Sequence, residues 1–384
     1  MLGYGMELLD VSISIVFGLT FLNMVAWLYG FKSLRESLNS LTQAEVCPID
    51  DRIKVSVIIP TRNSSNSLRR LLLSIDEQDF KPAEVIVVDD NSVDNTPEVV
   101  EELRNALSLN VRYLRLNDVA VDWAPKNYAL IQGFKASSGN VLVFIDVDVW
   151  FKSRDALRRL ICSTVKYGLA SYAPSFHCRS STCRSIEVVL TTFSHAFLGF
   201  NKVFNLRSGL AWFYGCCWGV LKDVYVRLGT HEAVKGELVE DKALAKRAKA
   251  LGIPFKVVEG FNFVVTEWYE TIKENVEVLG RVLHTYCRSK FKALSAAVLV
   301  GLSYVLPPLG IFLGLLTGVY TLTIASAANY GLMTYTHMYG AKLNNYSRSY
   351  ALTTPLSGLV LAAGLMASCS ETLKWRGRKY RIRR

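Results

Sequence analysis

Val141-Leu-Val-Phe-Ile-Asp146-Val-Asp148-Val-Trp150 is an unbroken apolar run that ends in two aspartates one residue apart. Short runs of this kind, rich in β-branched residues, form central strands of parallel sheets buried on both faces. The run predicts such a strand, with Asp146 and Asp148 at its carboxyl end. In open α/β sheets ligands bind along that edge. Two carboxylates crowded there repel each other unless a cation neutralises them. A hard divalent ion such as Mg2+ or Mn2+, sharing its coordination sphere with substrate phosphates, meets that need.

The residues before this run continue the pattern. Lys54-Val-Ser-Val-Ile-Ile-Pro60-Thr-Arg-Asn63 reads as a first parallel strand that breaks at Pro60, with Ser64–Asn66 capping a helix over Leu68–Glu77. Glu84-Val-Ile-Val-Val-Asp89-Asp90-Asn91-Ser92 is a second strand with a polar end, followed by a helix over Thr96–Ala106 and a third strand over Asn110–Leu116. Ala124-Pro125-Lys126-Asn127 leads into a helix over Tyr128–Ser137 that Gly139 stops. Strands alternating with helices at this spacing predict βαβ units and a doubly wound, mostly parallel α/β sheet. No Gly-x-Gly-x-x-Gly or Gly-x-x-x-x-Gly-Lys loop follows any of these strands, which argues against a dinucleotide oxidoreductase or a P-loop ATPase.

Outside this region the composition changes. Val11–Phe31 is free of charge for 21 residues, about the length a membrane-spanning helix needs. The residues before it are acidic, whereas a cleavable signal peptide starts basic, so the run reads as an anchor. Lys32 and Arg35 follow it, and the positive-inside rule then places the next domain in the cytoplasm. Residues 32–52 read as a polar linker. Ala293–Ala341 and Tyr350–Ser370 are also charge-free, and Pro307-Pro308 interrupts the first. The net charge of +11 is concentrated at the end, where residues 374–384 hold seven bases and no acid. Anionic headgroups or phosphate-bearing substrates account for such a charge, and a nucleic-acid partner is not required. A cytoplasmic tail and a cytoplasmic domain need an even number of crossings between them. Two crossings put Met1 and the loop around Asn344 on the opposite face. Ser180–Phe200 and Ile272–Phe291 carry apolar residues at helical spacing with bases at their edges, as helices lying in the membrane interface do. The eight cysteines show no disulfide or zinc spacing and read as reduced thiols facing the cytosol.

Five motifs in order carry a resemblance: Val55-Ser-Val-Ile-Ile-Pro-Thr-Arg-Asn63, Val88-Asp-Asp-Asn-Ser-Val-Asp-Asn-Thr96, Trp123-Ala-Pro-Lys-Asn-Tyr-Ala-Leu130, Asp146-Val-Asp148 and Gly236-Glu-Leu-Val-Glu240-Asp241-Lys-Ala-Leu-Ala-Lys-Arg247. Together they resemble a family 2 glycosyltransferase of the GT-A fold, over residues 54–260. The resemblance implies a nucleotide-diphosphate sugar donor, a UDP- or GDP-sugar. Asp89 or Asp90 would accept hydrogen bonds from the base, and Pro60 and Thr61 would offer backbone and hydroxyl contacts to the nucleoside. Asp146 and Asp148 would hold the diphosphate through the metal, with Lys126 and Asn127 reaching donor phosphate or sugar.

Glu240 and Asp241 precede an amphipathic helix, where the dipole favours negative charge. The resemblance makes Asp241 the general base of an inverting displacement, with Glu240 in support. Gly215-Cys-Cys-Trp218-Gly matches the small-residue loop beside the donor sugar, although the cysteines depart from the commoner glycine and alanine. Arg281 is a loose substitute for the diphosphate-binding arginine of the Gln-x-x-Arg-Trp motif found in processive relatives. That motif is missing, which argues for one sugar per encounter. The chain thus resembles the lipid-modifying members of the family, those acting on ceramide, hopanoid, carotenoid or polyprenyl-phosphate acceptors. A processive polysaccharide synthase and a degenerate membrane scaffold on the same fold are the rival readings. The expected organisation is an anchor (1–31), the linker (32–52), a GT-A domain (53–270), an interfacial segment (271–292), a membrane region (293–370) and a basic tail (371–384).

Overall fold

The computed structural model describes residues 2–205, 207–287, 289–370, 372–375 and 378–381, with side chains from Val11 to Thr372. Met1 and the tail's basic side chains, Arg384 included, lie outside the described residues. In chain order the elements begin α1 (Leu2–Asn39), β1 (Val55–Thr61), α2 (Ser65–Asp76), β2 (Glu84–Asp90), α3 (Thr96–Ala106), β3 (Val111–Leu116), α4 (Pro125–Ala136), β4 (Val141–Ile145), β5 (Val149–Phe151), α5 (Ala156–Tyr167), β6 (Leu169–Ala173) and β7 (Ser175–His177). They continue with α6 (Ser181–Phe197), α7 (Phe200–Val203), β8 (Cys217–Leu221), α8 (Lys222–Arg227), α9 (Glu240–Ala250), β9 (Lys256–Glu259), β10 (Val264–Glu267), α10 (Ile272–His284), α11 (Lys290–Thr317), α12 (Tyr320–Leu343) and α13 (Thr354–Ala367). Two compact units result, one of residues 39–177 and 200–267, the other of the remainder.

The first unit is an α/β domain on a seven-stranded sheet of order β3-β2-β1-β4-β8-β6-β9. The pairs β3-β2, β2-β1 and β1-β4 are parallel, and β8 runs antiparallel to both β4 and β6. Val57, Ile59, Val85, Val87, Val143 and Ile145 are almost wholly buried between the sheet and its helices. Each contributes about 1.5–3 kcal/mol by leaving water.

The expected strand over Val141–Trp150 ends at Ile145. Asp146–Asp148 makes a turn, and Val149–Phe151 crosses into a second sheet of order β5-β10-β7. Apolar continuity hid the turn, because both strands are buried. The first strand continues through Pro60 and Thr61, which pair with Val88 and Asp89. Ser64 gives no side-chain cap; the Asp94 carboxylate caps α2 instead, accepting from Ser65 N at 3.1 Å.

The expected all-thiol state is also overturned. Cys47 is bonded to Cys162, 115 residues away, and Cys178 to Cys183. A pairing across 115 residues leaves no spacing signal. Cys47 belongs to the segment that covers the β9 edge, where Thr42 N donates to Val257 O at 3.2 Å.

The second unit is helical, and it includes α6, which interrupts the expected continuous 53–270 domain. Among the described residues, three stretches are long and apolar enough to cross a membrane: Val11–Asn39, Lys290–Thr317 and Arg348–Ala367. α1 runs unbroken to Asn39, so the start of the expected linker is helical. Pro307 and Pro308 do not end a helix; both lie inside α11, which stops instead at Gly318 in the left-handed conformation (φ 72°). Interior prolines are tolerated in apolar helices where neighbouring groups satisfy the freed carbonyls.

Candidate active site

The carboxyl edge of β4 gathers the charged residues. Asp146 follows Ile145 directly, and its N–H donates to Cys216 O at 2.8 Å, so the antiparallel start of β8 lies alongside it. That register brings Gly215 to Asp241 at the start of α9. Gly215 N–H donates to Asp241 Oδ2 at 3.0 Å, and a Cβ on Gly215 would stand 2.8 Å from that oxygen. A side chain has no room there, which is the physical reason for glycine.

Lys126, on the first turn of α4, reaches into the same cluster. Its Nζ lies 2.8 Å from Asp146 Oδ1 and 2.7 Å from Glu240 Oε1. Burial alone would lower the Lys126 pKa, but Asp146 and Glu240 more than offset it and hold the ammonium charged. Burial likewise opposes ionisation of Glu240, and Lys126 overcomes it. Asp241 receives less help. Burial, and next the Glu240 charge, push its carboxyl up to about 7, although Gly215 N and Lys242 N both donate to it. Neighbouring carboxylates with environments that push their pKa values apart are the usual basis for assigning distinct acid–base roles.

Asp146 and Asp148 are half-buried at the turn. The Cys216 thiol stands close enough to both that their charges, after burial and Cys217, hold it protonated. No group of three or more His, Cys, Asp or Glu side chains gathers as a metal cage among the described residues. Two hard carboxylate ligands fit a Mg2+ or Mn2+ that takes its remaining oxygens from phosphate and water. Lys126 already carries part of the Asp146 charge.

At the ends of β1 and β2 the two neighbouring aspartates differ in their contacts. Asp89 is 0% exposed and accepts from Ser92 N at 3.0 Å, from Ser92 Oγ and from Tyr113 Oη at 2.6 Å. Asp90 is 7% exposed and pairs with Arg62 at 3.1 Å. Arg62, within the first motif but not singled out there, is thus a site residue the sequence reading passed over. Pro60 is half-buried, and the Thr61 hydroxyl is buried with no hydrogen-bond partner among the described residues.

Asn127 does not join the cluster through its amide. Its Nδ2 donates to Val234 O at 2.8 Å and Glu237 O at 2.9 Å, tying α4 to the loop before α9. Arg281 lies on α10, in the helical unit.

Residues 56–229 match the family model Glycosyl transferase family 2. The chain carries a family 2 glycosyltransferase domain. Among curated relatives, the 4,4'-diaponeurosporenoate glycosyltransferase of Staphylococcus haemolyticus is 27% identical over 219 residues, 56% of this chain and 57% of that protein. The Staphylococcus aureus protein of the same name is 28% identical over 221 residues, 56% of each chain. The chain thus spans little more than half the length of these relatives. The solved Pyrobaculum calidifontis mannosyltransferase PcManGT, in complex with GDP-Man and Mn2+, superposes with a TM-score of 0.56 at 18% identity, covering 92% of this chain and 97% of that one. The glycosyltransferase domain therefore has the GT-A fold, as the motif order implied.

Proposed function

We propose that the chain is a membrane-bound, inverting glycosyltransferase that moves a single sugar from a UDP- or GDP-sugar to a lipid acceptor on the cytoplasmic face of the cell membrane. The observation that carries the reading is the division of labour around Lys126. Asp146 and Glu240 are neutralised by its ammonium, while Asp241 beside them is left with a pKa near the operating pH. A general base works best in that range.

In the reaction, Asp241 takes the proton of the acceptor hydroxyl as its oxygen attacks the anomeric carbon. The bond from that carbon to the diphosphate oxygen breaks on the opposite face, the nucleoside diphosphate leaves, and the proton ends on Asp241. Asp148, with Asp146, would hold a divalent ion, which when bound acts as Lewis acid for the leaving diphosphate. Lys126 orients Asp146 and Glu240 and adds positive charge close to where the leaving group becomes negative. Asp90 accepts from the base, and Pro60 and Thr61 line the nucleoside. Asp89 and Asn127 hold loops in place.

The GDP-Man and Mn2+ of the mannosyltransferase with the same fold support this donor class and a divalent ion. The staphylococcal relatives are named for glycosylation of 4,4'-diaponeurosporenoate, which supports a lipid acceptor. Stretches apolar enough to cross a membrane on both sides of the domain support the location. The test is to incubate membranes holding the protein with a panel of radiolabelled nucleotide sugars and separate the lipid extract. One labelled lipid of fixed size is the expected result; a ladder of lengthening products means a polymerase, and label in no lipid refutes the acceptor.

A further inference from the structure

The membrane reading above leaves open which helices cross, and the hydropathy ranking and the packing give different answers. By hydropathy Arg348–Ala367 ranks as a crossing and α12 does not. Contacts within the helical unit act as a ruler along the bundle. At one end Gly314 of α11 packs on Thr323 of α12, and Gly310 on Ser326. Midway, Asn23 and Ser303 exchange two hydrogen bonds of 2.9 Å, and Trp27 packs on Tyr304 and His337. Further along α1, Phe31 meets Tyr335 and Tyr339.

α12 therefore runs antiparallel to α11 along its length. It finishes at the end where α11 begins and where α1 hands the chain to the glycosyltransferase domain. Its 24 residues reach about 36 Å, enough for a hydrocarbon core of about 30 Å. Its low hydropathy comes from Ser326, Asn329, Thr336 and His337, all 0% exposed and turned into the bundle. Tyr320 and Ile324 face outward, each 69% exposed.

The segment over 348–367 behaves differently. It starts just after α12 ends. It finishes with Ala367 on Gly280, Ser368 O 3.1 Å from His284 Nδ1, and Cys369 Sγ 3.7 Å from Lys290 O, which is the start of α11. Both ends of the segment thus sit at the same end of the bundle, and the 14 residues of α13 reach only about 21 Å. Leu352, Leu356, Leu359 and Met366 are 44–74% exposed at spacings of four, three and seven, a single outward face. Lys342 and Arg348 flank the preceding loop, which holds no acid, whereas the turn at Gly318-Val319 holds no charge. The positive-inside rule independently places the loop in the cytoplasm.

We infer that α1, α11 and α12 are the crossings, and that Arg348–Ala367 re-enters from the glycosyltransferase side, laying its Leu352–Met366 face against the acyl chains of that one leaflet. Two crossings still separate the domain from the tail. The loop around Asn344, expected on the opposite face, lies on the same side as the domain.

Single cysteines at Asn345, Tyr320 and Leu251 test this, labelled with a membrane-impermeant maleimide in right-side-out and inverted vesicles, with the wild-type protein as blank for its own thiols. The expected result is that Asn345→Cys labels together with Leu251→Cys, on the domain, and Tyr320→Cys from the other face. Asn345→Cys labelling opposite to Leu251→Cys overturns the inference and leaves the membrane reading standing. All three labelling from one face refutes the membrane reading itself. A nitroxide on Leu356→Cys should be more accessible to oxygen than to an aqueous nickel chelate; the reverse order removes the lipid-facing assignment.

Discussion

Gly215 N–H and Asp241 Oδ2 are 3.0 Å apart, and the glycine Cα approaches the carboxylate so closely that a methyl group would collide with it. The loop before β8 thus sets the position of the proposed base. Gly215→Ala should move Asp241 by a fraction of an ångström to about an ångström, and a displacement of that size costs about 100-fold in turnover. Donor binding, measured by calorimetry, should fall less than turnover, because the proposed nucleoside contacts lie at β1 and β2. A variant with wild-type kcat would mean that Asp241 is not the base.

The raised pKa of Asp241 has a direct consequence for pH dependence. A base works only when deprotonated, so activity should rise with pH and level off above about 7. Below that value kcat/KM should fall about tenfold per pH unit, as for one essential deprotonated group. A profile flat from about pH 5.5 to 8.5 would remove Asp241 from the role.

Much of this was legible in the sequence, and the parts that were not share a cause. The helix over Thr96–Ala106 and the strand ending at Leu116 were read from local periodicity, and both stand where it placed them. The Glu240-Asp241 pair at a helix start was legible for the same reason. The turn at Asp146–Asp148 was not, since two buried strands in different sheets read as one apolar run. Lys126 bridging Asp146 and Glu240, Cys47 joined to Cys162, and α6 leaving the α/β unit all depend on residues far apart in the chain. Periodicity carries no information about those. Asp89 and Asp90 could not be told apart either, because the distinction lies largely in Tyr113 and Arg62 approaching from other elements.

Lys126 is the only counter-charge shown for the nearly buried Glu240 among the described ion pairs. Lys126→Met should therefore destabilise the domain by about 3–5 kcal/mol, the usual cost of stranding one partner of a buried pair. Adding Glu240→Gln should recover part of that loss, because the unpaired charge is then gone. Thermal denaturation of the two single variants and the double variant measures it. Strict additivity would show that the pair is not coupled.

Asp148→Asn should weaken divalent-ion and donor binding together, since a neutral amide is a poorer ligand for a hard cation. Nucleotide titrations with and without chelator decide the point. An unchanged donor affinity in both would show that Asp148 holds no metal.

The two adjacent aspartates at the end of β2 should differ in their effect on nucleotide binding under the same change. Asp89 is fully buried and accepts three hydrogen bonds, so Asp89→Asn leaves a donor facing a donor in the interior and should cost about 1–3 kcal/mol of stability. Asp90 is also buried, at 7% exposure, with Arg62 as its counter-charge, so Asp90→Asn should likewise cost about 1–3 kcal/mol of stability. It should raise the dissociation constant of the nucleoside diphosphate about tenfold or more, the worth of one charge-assisted hydrogen bond to the base. Arg62 would then lose its partner, and part of the effect would pass through it; Arg62→Gln in the same titration separates the two contributions. Should Asp89→Asn weaken nucleotide binding at full stability while Asp90→Asn does nothing, the assignments of the two carboxylates must be exchanged.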